Sequence, residues 1–452
     1  MKKTVAFCTL GCKVNQYETD AMRGSFEAEG YEVKEFSQEA SVYVINTCTV
    51  TNMADRKSRQ MMHRAKKKNP DGIIVAVGCY VQAAKEQLEE DTLIDLVIGN
   101  NMKSQVVQIV EQYIQDNRHT EDRDAYVADI AHSHEYETMH IETVSEHTRA
   151  YIKIQDGCNQ FCSYCIIPYA RGRVRSRQME EILEEVRTLA GNGYKEVVLT
   201  GIHISSYGLD LDGRTNVGKG EDFPCDRLLA LISEIQKTEG IERIRLGSLE
   251  PRIITGKLAE GLAKMDKFCP HFHLSLQSGC DSVLERMNRK YTAGEYYERV
   301  EILRRFFEDP AITTDVIVGF PGETEEEFAE TERFLEKVGF YEMHVFKYSM
   351  RQGTVAAARK DQVPEDVKAA RSDRLLALEQ KQSAAYRERH LHKETSILFE
   401  EEKEIDGKRY QVGHSKEYIR AAFETVEEVS GQILKGQFTQ MLKPDILLFT
   451  KM

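Results

Sequence analysis

Residues 151–173 read YIKIQDGCNQFCSYCIIPYARGR, a β-patterned run followed by a loop that spaces Cys158, Cys162 and Cys165 as C-x3-C-x2-C. The run is the first of a series. EVVLTGIHI, RIRLGSLE, HFHLSLQS, TTDVIVGF and EMHVFKYS follow it, separated by helical stretches such as MEEILEEVRTLAGNG and TEEEFAETERFLEKVG. Strands that alternate with helices predict a parallel sheet, because each crossover helix returns the chain to the same end. The series predicts an α/β fold whose centre, residues 149–380, is a partial (β/α)6 barrel with its functional groups at the C-terminal strand ends.

On the N-terminal side, TVAFCTL, VYVINTC, GIIVAVGC and LVIGN also alternate with helical segments, which predicts an open parallel α/β sheet domain over residues 1–115. Residues 116–148 turn polar, acidic and histidine-containing and read as a linker; His119, His132, His134, His140 and His147 fit no metal-ligand spacing and read as surface residues. On the C-terminal side, a long charged helix leads into SILFEE, RYQVGHS, YIRAAFET, GQILKGQFTQ and DILLFTK. This is a small all-β module over residues 385–452, OB-like in its pattern. Three domains suit 452 residues.

Composition narrows the function classes. Hydrophobic residues at 41% and charged residues at 30% exclude wholesale disorder, and no apolar run approaches the roughly 20 residues of a membrane helix. The charge balance, 61 basic against 74 acidic residues, is −13, so a nucleic-acid partner has to meet local basic patches. MKKTVAFCTLGC superficially looks like a lipoprotein signal, but its short apolar run reads as a first strand. Ten cysteines in a long chain of this kind point to a reducing cytoplasm, with clustered thiols used for metal or redox chemistry rather than disulfides.

Three thiolates in one loop cannot cap all four irons of a cubane cluster, so one iron is left open to a ligand. A zinc site would prefer a fourth donor, which the loop lacks. Cys12, Cys48 and Cys79 each follow a separate β-run, and strand ends of a parallel sheet line one edge, so these three also converge. One such cysteine would be packing; three at equivalent ends favour a second cluster. Cys8, Cys225, Cys269 and Cys280 show no spacing relationship and read as packing. RGRVRSR places Arg171, Arg173, Arg175 and Arg177 at alternate positions, which in an extended chain projects four guanidinium groups to one face as RNA contacts. RKSRQMMHRAKKK, residues 56–68, is a second basic patch.

The three-cysteine loop resembles that of the radical S-adenosylmethionine (SAM) enzymes. The resemblance implies a 4Fe–4S cluster on Cys158, Cys162 and Cys165 that chelates SAM and cleaves it to a 5′-deoxyadenosyl radical. It implies a Tyr164 contact to the adenine, and SAM contacts at Gly201, Glu250, Gln277 and Val318 or Gly319. TLGCKVNQYET, NTCTVTNMADRKSRQ, VGCYVQ, SLEP, LSLQSGCDSVLERMNRKYT and DVIVGFPGETEEEF extend the resemblance over nearly the whole chain to the methylthiotransferase subfamily. That implies a second 4Fe–4S cluster on Cys12, Cys48 and Cys79, which holds a sulfur that one SAM methylates, and a C-terminal RNA-binding module of the TRAM type. GCKVNQYE with NTCTVT is similar to the tRNA threonylcarbamoyladenosine branch. The implied reaction is methylthiolation at carbon 2 of that nucleoside beside the anticodon. The implied partners are tRNA, a flavodoxin- or ferredoxin-type reducing protein and a sulfur donor, with no membrane. The same chemistry on isopentenyladenosine in tRNA is the runner-up. A non-catalytic iron–sulfur RNA sensor is the alternative of another class, and it leaves the β–α series unexplained.

Overall fold

The computed structural model describes residues 3–116, 126–141 and 148–452. The β-branched runs at the N-terminal end form β1 (Thr4–Thr9), β2 (Glu32–Lys34), β3 (Val42–Thr47), β4 (Ile73–Gly78) and β5 (Leu96–Ile98). They lie parallel in the order β2-β1-β3-β4-β5. β3 and β4 are buried along their whole length, which is why they read as unbroken apolar runs. β2, three residues long, is too short for alternation to reveal. The strand order reverses between β1 and β3, and such a switch point opens a crevice at the C-terminal sheet edge. Two helices leave from that edge, α1 (Lys13–Ala28) and α2 (Asn52–Lys68).

The central strands are β6 (Arg149–Asp156), β7 (Arg175–Ser176), β8 (Glu196–Gly201), β9 (Arg243–Leu246), β10 (His271–His273), β11 (Ala311–Val318) and β12 (Glu342–Lys347). They form two sheets, β7-β6-β8-β9 and β10-β11-β12, joined by single parallel bridges at Ile244–Phe268 and Leu249–Leu274. Only β7 runs antiparallel. Ile152, Ile154, Val197, Leu199, Ile244, Phe272, Ile312 and Met343 pack into the core shared with the crossover helices. The two-residue period then turns Lys153, Glu196, Arg243, Arg245, His271, His273, Asp315 and His344 to the opposite, inner face. A closed eight-stranded barrel fills that space with branched apolar side chains. Here it is charged, and other parts of the chain fill it.

One of those parts is the C-terminal module. Its strands β13 (Glu394–Ile405), β14 (Lys408–His414), β15 (Arg420–Phe423), β16 (Ile433–Lys443) and β17 (Ile446–Lys451) close a barrel around Phe399, Phe438, Leu447 and Phe449. Arg243 on β9 donates to the carbonyls of His414 (2.8 Å) and Ser396 (2.6 Å), and Arg245 donates to that of Lys416 (2.9 Å). Tyr418 stacks between His271 and His414, with the guanidinium groups of Arg149 and Arg245 within 4.9 Å of its ring. Glu196 anchors these cations, meeting Arg245 at 2.9 Å, Arg243 at 3.6 Å and Arg149 at 4.0 Å.

The described part of the expected linker, residues 126–141, is a packed strap rather than a free tether. Met139 and Ile141 enter the core. The Met139 carbonyl accepts from Tyr17 (2.6 Å), and Tyr136 donates to the Lys153 carbonyl (2.8 Å). His132 pairs with Asp129; His119 and His147 lie outside the described residues. Among the described residues no helix is long and apolar enough to cross a membrane.

Burial alone would raise the Glu196 carboxyl, but the three arginines outweigh it and hold it down at about 2, from 4.5. A carboxylate with a depressed folded-state pKa stabilises the protein above its unfolded value, and that contribution disappears as pH falls from 4.5 toward 2. Glu196→Gln is therefore expected to lose roughly 3 kcal/mol at neutral pH and to show a flatter acid profile below pH 4.5. Urea midpoints measured across pH check both parts.

Candidate active site

Cys12 follows β1, Cys48 follows β3 and Cys79 follows β4, all at the crevice edge. Gly11 lets them close up. It sits at φ +103°, and a Cβ there would lie 2.7 Å from the Cβ of Cys48 and 2.8 Å from its Sγ. Asn15, in the first turn of α1, donates to the carbonyls of Leu10 (2.7 Å) and Thr47 (2.9 Å), so one amide ties the Cys12 and Cys48 loops together. The thiols lie within each other's fields: Cys79 raises both Cys12 and Cys48. Burial is the larger cause, and it pushes Cys48 up to about 11. Cys48 and Cys79 are buried, while Cys12 opens on the cleft.

The second trio hangs from the end of β6. Gly157, at φ +71°, turns the chain so tightly that a Cβ would fall 1.7 Å from the Arg173 carbonyl oxygen; only glycine makes this loop. Cys158, Cys162 and Cys165 are half-buried. Burial first, then the charge of Cys162, raises Cys158 and pushes Cys165 up to about 12. Arg289 donates to Cys162 Sγ at 3.3 Å, and the Gln160 N–H reaches Cys158 Sγ at 3.5 Å. Nothing in the sequence reading singled out Arg289; the only signal was its place in RMNRKYT. Both trios are wider than a single-ion site. Among the described residues the group whose ligand atoms all lie within 4.8 Å is instead His273, Asp315 and His344.

Arg171 ties the first trio to the end of β6. Its Nε donates to Cys79 Sγ at 3.1 Å, and its guanidinium reaches Glu18 (2.6 and 3.0 Å), Asn15 (2.6 Å) and Asp156 (3.2 Å). Asn100 donates to the Ala170 carbonyl (2.7 Å) and to Cys79 Sγ (3.7 Å). Arg351, after β12, bonds Thr49 (2.6 Å) beside Cys48, while the Ala356 N–H from the same loop bonds the Ser163 carbonyl (2.8 Å). These contacts tie the loops that carry the two trios to one another.

This corrects the reading of RGRVRSR as a face of RNA contacts. Arg171 and Arg177 are 0% exposed and Arg175 is 1% exposed. Arg175 lies toward Asp156, and Arg177 pairs with Glu185. The stretch is not one extended strand, since Gly172 turns it at φ +72° and β7 is two residues long. Arg173 alone stays half-buried, its guanidinium 4.6 Å from the Phe161 ring centroid.

The residues expected to contact SAM sit at the same strand ends. Tyr164 lies in the cysteine loop with its ring edge-on to Phe320 (6.5 Å), and Gly201 ends β8. Glu250 follows β9 and is held by Arg252 (2.8 Å). Gln277 follows β10 in a left-handed conformation, φ +74°. Tyr164, Glu250 and Cys162 share the field of Arg289. Val318 turns its side chain into the core and its carbonyl accepts from the Tyr348 N–H at 2.9 Å, while the adjoining Gly319 N–H meets the Glu323 carboxylate at 3.2 Å. Cys225, Cys269 and Cys280 are buried, and Cys8 packs on β1.

A radical SAM superfamily model matches residues 152–335, and one described as uncharacterized protein family UPF0004 matches residues 4–99. The chain is 41% identical over 456 residues to the threonylcarbamoyladenosine tRNA methylthiotransferase MtaB of Bacillus subtilis (strain 168), covering 98% of each chain. To the protein of the same name from Aquifex aeolicus (strain VF5) it is 42% identical over 406 residues, covering 90% of this chain and 95% of that one. The fold resembles that of the radical S-adenosylmethionine methyltransferase TsrM from Kitasatospora setae, with TM-score 0.58 at 14% identity over 79% of this chain and 74% of that one.

Removing the Arg171 guanidinium strips Glu18 and Asp156 of a buried partner. Arg171→Ala is expected to cost about 3–5 kcal/mol. Arg171→Lys keeps the charge but not the fork and recovers only part of it. Chemical denaturation of the three proteins side by side measures this.

Proposed function

Because the chain belongs to the radical SAM methylthiotransferase family, we propose that it places a methylthio group on carbon 2 of N6-threonylcarbamoyladenosine in tRNA. The enzyme is a transferase that works with SAM and two 4Fe–4S clusters. What supports the reading is a pair of cysteine trios whose loops are bonded to one another, through Asn100 and through the loop from Arg351 to Ala356.

The trios fit such clusters. Each offers three soft sulfur donors, spaced wider than one ion requires, with an arginine N–H on one sulfur to offset thiolate charge. We assign Cys158, Cys162 and Cys165 to the SAM-binding cluster and Cys12, Cys48 and Cys79 to the auxiliary one. When bound, these groups supply one-electron chemistry able to functionalise the unactivated C–H bond at adenine carbon 2, which acid–base catalysis cannot reach. The chain's own part is placement. Asn15 and Gly11 set the first trio, and Gly157 and Arg289 set the second. Tyr164, Gly201, Glu250, Gln277 and Gly319 line the edge where SAM lies, and the Arg351 loop closes the cleft from the side.

We read the two linked central sheets as one incomplete (β/α)6 barrel over 149–380, following an N-terminal domain (1–115) and the strap (116–148). The C-terminal barrel (385–452) is read as an RNA-binding TRAM module. With the RGRVRSR arginines buried, the phosphate contacts move to α2, whose Arg56, Lys57, Arg64 and Lys67 are exposed and which begins four residues after Cys48. Val50, Met53, Tyr169 and Met350, each at least half exposed, offer apolar faces for bases. The electron donor is a flavodoxin- or ferredoxin-type protein, sulfur comes from a separate donor, and the reaction runs in the cytoplasm, where its tRNA is.

Isopentenyladenosine, the runner-up substrate, would put a hydrocarbon against an inner face made of charged groups, which favours the threonylcarbamoyl reading. A non-catalytic sensor would not cleave SAM.

Anaerobic preparations are expected to carry roughly eight irons, falling to about half when either trio is replaced by alanine. Loss of Cys158, Cys162 and Cys165 abolishes 5′-deoxyadenosine formation. Loss of Cys12, Cys48 and Cys79 spares it but stops sulfur insertion, read by mass spectrometry of tRNA nucleosides; the opposite pattern overturns the assignment.

A further inference from the structure

Lys13 follows Cys12 and starts α1. Its ammonium lies 5.5 Å from the centroid of the Tyr151 ring on the inner face. Arg149, Arg245 and Glu196 are close enough to act on its charge, but they are taken. Arg149 pairs with Glu400 (3.2 Å) and Glu196, and Arg245 pairs with Glu196. Among the described residues the Lys13 ammonium has no hydrogen-bond or ion-pair partner. The side chain is accessible to solvent although protein crowds it on most sides, as expected for a group in the wall of a deep cleft.

Folding does not account for this placement. A cation in the first turn opposes the helix dipole, and two arginines nearby repel it. A second observation points the same way: the Nδ1 of His271, whose ring feels the charge of Lys13, is buried without a partner. A free cation and an unsatisfied imidazole nitrogen thus lie within each other's field on the inner face.

We propose that Lys13 recognises the side chain of the modified nucleoside, its ammonium pairing with the free carboxylate of the threonyl group. The inference rests on the function proposed above. In threonylcarbamoyladenosine the amino acid is joined through its nitrogen, so its carboxylate and hydroxyl remain free. Unmodified adenosine and isopentenyladenosine carry no charge there. A pair formed inside the cleft is partly desolvated and worth more than a surface ion pair. Because Lys13 adjoins Cys12, drawing the carboxylate to it also draws the purine toward the two trios, and His271 offers a neutral nitrogen for the hydroxyl. Lys13 is thus a specificity residue rather than a catalytic one.

The test uses the cluster-loaded full chain and three anticodon stem-loop RNAs with threonylcarbamoyladenosine, its primary amide, or plain adenosine at the modified position. Wild type is expected to bind the acid about 10- to 100-fold more tightly than the amide. Lys13→Met brings the two within roughly twofold, and Lys13→Arg keeps most of the preference. Iron content checks that each variant is loaded; should Lys13→Met fail to load, the acid–amide comparison on wild type and Lys13→Arg still decides. Equal binding of acid and amide by wild type, or a preference that survives in Lys13→Met, overturns the proposal. Failure of the underlying function reads out separately, as no methylthio product from the acid RNA with SAM and reductant, whatever the binding ratio.

Discussion

A single buried carboxylate fixes how the two halves of the active site meet. Glu18, on α1, accepts from Lys103 of the N-terminal sheet region, from Lys153 on β6 and from Arg171 beyond the cysteine loop. Asp156, at the end of β6, adds contacts to Lys153 and Arg171 and lies 3.8 Å from Arg175. Buried ions cost several kcal/mol each to desolvate, so a network of this kind is justified by the geometry it enforces more than by net stability. It holds four cations against two carboxylates. The excess positive charge sits where Arg171 touches Cys79, beside three sulfurs that become anionic when they bind metal.

The charged inner face follows from the same design. An open series of parallel strands cannot fill its own interior, so α1 enters from one side and the C-terminal barrel from the other. The arginines that would be unsatisfied in an open sheet find carbonyl oxygens on the C-terminal module and a carboxylate on β8. Docking of a module read as RNA-binding is thereby tied to the floor of the cleft through Tyr418 and His271. An RNA held there would have its modified base delivered to one fixed place.

Much of this was legible in the chain. The six β-runs of the central series were visible, because apolar residues at every second position mark the face packed on the crossover helices. The six cysteines announced themselves by position, three within a short loop and three at strand ends. The arginines of RGRVRSR were misread for a physical reason: alternation of charge predicts a solvated face only if nothing packs on that face, and Gly172 together with the carboxylates of Glu18, Asp156 and Glu185 turned most of it inward.

The order of the elements and the places of the cysteines at strand ends are local properties, carried by periodicity and residue type, and the sequence by itself determined them. Which buried charges pair was decided only by the tertiary structure. Glu18 and Arg171 are 153 residues apart, and Arg243 and Ser396 are also 153 apart. Partners so distant leave no local pattern, and an ion taken out of water has to find whichever opposite charge or dipole the fold brings to it.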